Sequence, residues 1–159
     1  MQRSFIAIAA AAAVFVLCAS PAAAAGPEDI TREKILEAGK EWQEKHSQYQ
    51  PEADLIAALK AKLSAGTRID VYLGLWCPDS RNNVPPFIKI LDLLDAPLTV
   101  RYFSVGRKAS RDIQYYVEDL QVERVPTFIF FKGGQEIGRI VENPKAGMLE
   151  DFMEIVFKE

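Results

Sequence analysis

Two strand-forming runs separated by Gly133-Gly134 constrain this 159-residue chain more than any other feature. Thr127-Phe128-Ile129-Phe130-Phe131-Lys132 and the stretch 135–141 are rich in β-branched and aromatic side chains. A two-glycine break between them supplies the positive φ that a tight turn needs, so the pair predicts an antiparallel hairpin. Ahead of it the pattern alternates. Residues 68–75 form a strand-type run; a helix follows Ser80 to about Leu94 through Val84, Phe87, Ile88 and Leu91; a second strand covers 98–105, and a further helix covers about 109–120, with Ser110 as its cap. After the hairpin, Met148, Leu149, Phe152, Ile155 and Val156 mark a last amphipathic helix. This order is α/β: the first two strands must be joined by a parallel crossover, the hairpin adds an antiparallel edge, and a layered sandwich with a mixed central sheet results. Strand 98–105 alternates poorly, which predicts cover on both faces. Pro85-Pro86 falls within the first of these helices and predicts an interruption and a kink there.

The part before residue 67 reads as helical. Ile35, Ala38 or Gly39, Trp42 and Tyr49 recur at helical spacing over 28–48, predicting one helix. Pro51 then opens a second through Leu55, Ile56, Leu59 and Leu63, stopped by Gly66. Trp42 and Tyr49 are the side chains expected to pack this extension on the sheet. No first strand is recognisable. Residues 1–25 place Arg3 before an apolar run ending in Ala22-Ala23-Ala24-Ala25, the pattern of a secretory signal cleaved after Ala24 or Ala25. The run is almost long enough to span a bilayer, so an uncleaved anchor is the alternative. The expected organisation is a signal peptide over 1–25, a helical segment over 26–66 and an α/β domain over 67–159, exported to a bacterial periplasm or secreted.

Charge and cysteine content narrow the functions. The net charge is −3 and no Lys/Arg block exceeds Arg107-Lys108, which excludes nucleic acid as an expected partner. Of the two cysteines, Cys18 should leave with the leader, so Cys77 has no partner for an internal bridge. Any disulfide it forms must be with another molecule. Cys77 lies between an apolar strand and a helix start, where free backbone N–H groups and the helix dipole favour thiolate; the sulfur is expected to be chemically exposed. Asp79 and Ser80 read first as helix starters. His46, the one histidine, would leave a metal site with Cys77 and Asp79 short of ligands, and no metal or other cofactor is expected.

Four features together resemble the thioredoxin superfamily over roughly residues 67–158: Trp76-Cys77-Pro78 after a strand, Pro85 eight residues beyond the cysteine, Val125-Pro126-Thr127, and the glycine hairpin. The resemblance implies a thioredoxin-like three-layer sandwich, a cis Pro126 beside Cys77, and a Val125 backbone that pairs with an extended peptide, with Trp76 and Pro126 alongside. Two positions depart from the family pattern. Ser80 stands where a second cysteine is usual, and Val71 where a buried acid is common; Asp70 is adjacent but should face the opposite side of the sheet. Without a resolving thiol, a mixed disulfide on Cys77 needs a second thiol from substrate or solution to release it. The expectation is monothiol thiol–disulfide exchange at Cys77, with Ser80 able to donate a hydrogen bond to the thiolate, acting on exported protein or small-molecule thiols and disulfides. The competing expectation is a peptide-binding module that turns nothing over. A membrane is a partner only if the leader is retained, and the oligomeric state is open.

Overall fold

The computed structural model describes residues 27–63, 65–107 and 120–158. The leader, Ser110 and the helix expected over 109–120, apart from Leu120, lie outside the described residues. In chain order the elements are β1 (Glu28–Asp29), α1 (Arg32–Leu36), α2 (Lys40–Gln48), α3 (Ala53–Lys62), β2 (Thr67–Leu73), α4 (Pro78–Leu94), β3 (Thr99–Ser104), β4 (Thr127–Lys132), β5 (Gln135–Val141) and α5 (Met148–Phe157). The strands form one mixed sheet in the order β1-β3-β2-β4-β5. β2 and β3 are parallel, running from Arg68 opposite Thr99 to Leu73 opposite Ser104. β4 is antiparallel to β2 and to β5. Gly133 and Gly134, at φ 57° and 85°, make the hairpin turn as expected, since both positions need a positive φ that side chains resist.

Three expectations are corrected. The single helix over 28–48 is instead β1, α1 and α2. Residues 28 and 29 pair antiparallel with Ser104 and Phe103, Ile30 N–H donates to Tyr102 O at 3.0 Å, and Thr31 Oγ1 caps α1 by accepting from Lys34 N–H. Gly39 is extended at the start of α2. Two short helices still bring Ile35 and Trp42 into one core, so helical spacing survived the break between them. β3 is not covered on both faces: Thr99 and Arg101, on the side of the sheet that carries Asp70, are exposed. α4 is not interrupted by Pro85 and Pro86 but runs from Pro78 to Leu94, with Val84, Pro85, Phe87 and Ile88 buried. That packing offsets the N–H donors the prolines lack.

Strand alternation gives the sheet two unlike faces. On one, Ile69, Val71 and Leu73 of β2 and Phe128 and Phe130 of β4 meet buried residues of all five described helices. Its centre is aromatic. Phe87 lies 4.8 Å from Phe128 and 5.8 Å from Phe152, and Phe130 lies 4.9 Å from Phe152, all between ring centroids. On the other face Tyr72, Ile129 and Phe131 cluster with Val105, Val122, Val125 and Cys77. That face also carries Asp70, fully buried, which accepts from Arg101 Nε at 2.8 Å and Nη2 at 2.6 Å and lies 3.4 Å from Arg68 Nε. Asp70 thus points away from Val71, as alternation requires. The helical layer expected over this second face falls outside the described residues.

The N-terminal helices are tied to α4 by charge as well as by Trp42. Asp92 of α4 binds Arg32 at 2.6 Å and accepts from His46 Nε2 at 2.8 Å, and Arg81 pairs with Glu41 at 2.7 Å. Nearby, burial pushes the Tyr102 phenol well up, with Asp92 adding to the shift and Arg32 opposing it. Among the described residues no helix is long and apolar enough to cross a membrane.

Candidate functional site

The end of β2 sets the geometry of the cysteine turn. After Leu73 the chain turns at Gly74, whose carbonyl accepts from Cys77 N–H at 2.9 Å and whose N–H donates to Ser80 Oγ at 3.1 Å. Cys77 is the N-cap residue of α4, and its own carbonyl accepts the first helical bond from Arg81 N–H. The Trp76 indole folds back over Gly74, where a Cβ would lie 2.8 Å from Cε2, and its Nε1–H donates to Val105 O at 2.9 Å. Only a glycine leaves room for that indole. Arg107 stacks on the outer side of the ring, 5.6 Å from its centroid.

The second wall comes from the loop before β4. The Val125-Pro126 peptide is cis, as the resemblance implied. Thr127 Oγ1 closes this loop by donating to Arg124 O at 2.6 Å. Cys77 Sγ lies 3.2 Å from Val125 O and donates to it, joining residues that the sequence separates widely. The third wall follows β5. Glu142, at φ 59°, donates its N–H to Pro126 O at 2.7 Å, and its carbonyl accepts from Asn83 Nδ2 of α4 at 2.9 Å. Its carboxylate meets Arg124 Nη1 at 2.7 Å, and that hydrogen bond holds the guanidinium above its ordinary range. A depression of about 230 Å³ results, lined by Trp76, Cys77, Asp79, Arg124, Val125 and Glu142. A larger cleft of about 600 Å³ lies elsewhere, beside Ile30, Arg32, Leu91 and Tyr102, and carries no thiol. Cys77 lines the smaller one.

The structure brings Trp76, Cys77, Val125 and Pro126 together. Cys77 is less open than expected: 7% of its surface is accessible, because Trp76 and the Val125-Pro126 loop pack around it. It nevertheless forms part of the pocket wall. Ser80 is fully buried in the same turn, α4 has no side-chain cap, and the Ser80 hydroxyl accepts from Gly74 N–H. Its role is to lock the turn that presents the sulfur. His46 lies on Asp92, and among the described residues no group of three His, Cys, Asp or Glu could hold a metal ion. Of the basic cluster, Arg107 is described, while Lys108 and Arg111 lie outside. The sequence reading missed Gly74, Arg124 and Glu142. A glycine two residues before Trp76 was a usable sign of close packing; nothing local marked the other two.

A thioredoxin family model matches residues 28–154. The fold is similar to that of a protein of unknown function from Pseudomonas aeruginosa, at 15% identity over 78% of this chain and 82% of that one, with a TM-score of 0.56. It is also similar to an HIV epitope-scaffold, at 16% identity over 80% and 85% of the two chains, with a TM-score of 0.53. These two likenesses concern the fold alone. Thioredoxin O2 from Arabidopsis thaliana aligns at 23% identity over 66% of this chain and 89% of that one, with a TM-score of 0.42. No curated protein matches the sequence.

Proposed function

This chain belongs to the thioredoxin family, and from that premise we propose that Cys77 performs monothiol thiol–disulfide exchange on an exported protein or small-molecule thiol. The observation that carries the reading is the Cys77 Sγ contact with Val125 O at 3.2 Å, made at the wall of a pocket and at the first turn of α4. An extended substrate pairing with the Val125 backbone would bring its disulfide to this sulfur, and the thiol proton now held by the carbonyl must leave before attack. The thiolate of Cys77 then attacks one sulfur of R–S–S–R′, forming Cys77–S–S–R and expelling R′–S⁻, which takes up a proton. A second thiolate, from the same substrate or from solution, attacks R–S and returns the electron pair to Cys77. The domain itself undergoes no net oxidation or reduction. Ser80 supports the cycle through Gly74 and has no sulfur to close it internally.

A second reading, a peptide-binding module without turnover, is favoured by the low accessibility of Cys77 and by Val71 in the place of a buried acid. Incubation with glutathione disulfide followed by intact-mass measurement separates the two. Exchange predicts an adduct on Cys77 that added reduced glutathione removes; a folded protein that forms no adduct while binding an extended peptide overturns it in favour of the module.

A further inference from the structure

Resting on the exchange reading, we propose that the pocket selects substrates carrying a cationic side chain, lysine or arginine, next to the reacting cysteine. Three charged side chains line the depression that holds Cys77: Asp79, Glu142 and Arg124. Glu142 is paired with Arg124, whereas Asp79 has no ion-pair partner among the described residues, so the lining carries one more acid than base. The position of Glu142 is overdetermined. Its backbone is anchored to Pro126 on the cis loop and to Asn83 on α4, in a left-handed conformation that a non-glycine residue adopts only under constraint.

The Arg124 guanidinium shows what this corner accepts. Its side chain is 64% exposed, and an ion pair this open to water contributes little, so a substrate cation can take Glu142 while Arg124 turns to solvent. The same cation would approach Asp79, which lies in the first turn of α4 and lines the same depression as Cys77. Arg107 lies over the Trp76 ring, 5.6 Å from its centroid, and is not among the residues that line the depression. A cation on the Asp79 and Glu142 side is the charge complementary to that lining.

Three peptides test this, identical except for Lys, Gln or Glu beside one cysteine, each activated as a mixed disulfide with neutral 2-thiopyridine. Cys77 attacks the peptide sulfur, the Cys77–peptide disulfide forms, and pyridine-2-thione leaves with the thiol proton, which gives an absorbance readout. The wild-type protein at low salt should react in the order Lys, Gln, Glu, with about threefold or more between neighbours, and the spread should shrink at about 1 M salt. Asp79→Asn combined with Glu142→Gln should remove the ordering. Equal rates for the three peptides, or the reverse order, overturn the charge selection and leave the exchange reading intact. No thione from any peptide overturns both.

Discussion

The helical face of the sheet and the face that carries Cys77 are built from alternate residues of the same strands, yet they hold different chemistry. Ile69, Val71 and Leu73 point into an aromatic core closed by Phe87, Phe128, Phe130 and Phe152. One residue out of step, Asp70 and Tyr72 point to a face where a buried carboxylate is held by two arginines and Tyr72 stacks on Phe103 at 4.8 Å. The first face gains stability from area removed from water, which needs no particular geometry beyond close packing. The second accepts the desolvation of an ion, offset only by well-aligned hydrogen bonds, and is the face on which the sulfur clusters. The apolar core and the face that holds the buried ion pair and the thiol thus lie on opposite sides of one sheet.

Substitutions on the two faces should differ in size. Phe152→Ala opens a cavity against Phe87 and Phe130 and is expected to cost about 3 to 5 kcal/mol in urea unfolding. A loss below about 1 kcal/mol would show that the aromatic cluster is not the main source of stability. Asp70→Asn should cost less, about 2 kcal/mol, because the Arg101 side chain it leaves behind is 48% exposed and can be rehydrated. A larger loss than that of Phe152→Ala would break the comparison. Gly74→Ala, at the junction, should cost about 1 to 2 kcal/mol and displace the indole it touches, read as a change in tryptophan fluorescence and near-ultraviolet circular dichroism. Unchanged spectra would mean that the indole does not rest on Gly74.

The smallest effect sharpens the comparison by pH. Burial raises the phenols of both Tyr102, on the helical face, and Tyr72, on the other, where the charge of Asp70 adds to the shift. Folding therefore favours the protonated phenols; their contribution is complete below the ordinary tyrosine value of 10.0 and is lost as pH rises beyond it. At pH 10.5 the loss should be under about 1 kcal/mol for each phenol, and Tyr102→Phe should flatten it more than Tyr72→Phe, since Tyr102 has the larger shift. Equal flattening would place the two phenols in equivalent surroundings.

Much of this was legible in local sequence. The hairpin followed from Gly133-Gly134, the parallel pair from strand–helix–strand order, and the opposite orientation of Asp70 and Val71 from the period of two. What escaped was of three kinds. β1 is two residues long, too short for any periodic signal, and owes its pairing to β3. α1 and α2 keep helical spacing across a break, so the pattern looked continuous. The hydroxyl of Ser80 could have capped a helix or faced the sulfur, and its bond from Gly74 N–H depends on how the end of β2 meets α4.

By itself the sequence determined which stretches after residue 50 are strand or helix among the described residues, which residues of each strand share a face, and that a single thiol stands at a strand-to-helix turn. Those properties depend on backbone sterics and side-chain period, which act over a few residues. The tertiary structure alone decided how far that thiol is covered, that Val125 O receives its proton, and that Arg124 and Glu142 stand beside it. Each of these is a distance between segments remote in the chain, set when burial of the two sheet faces brings the ends of α4, β4 and β5 together.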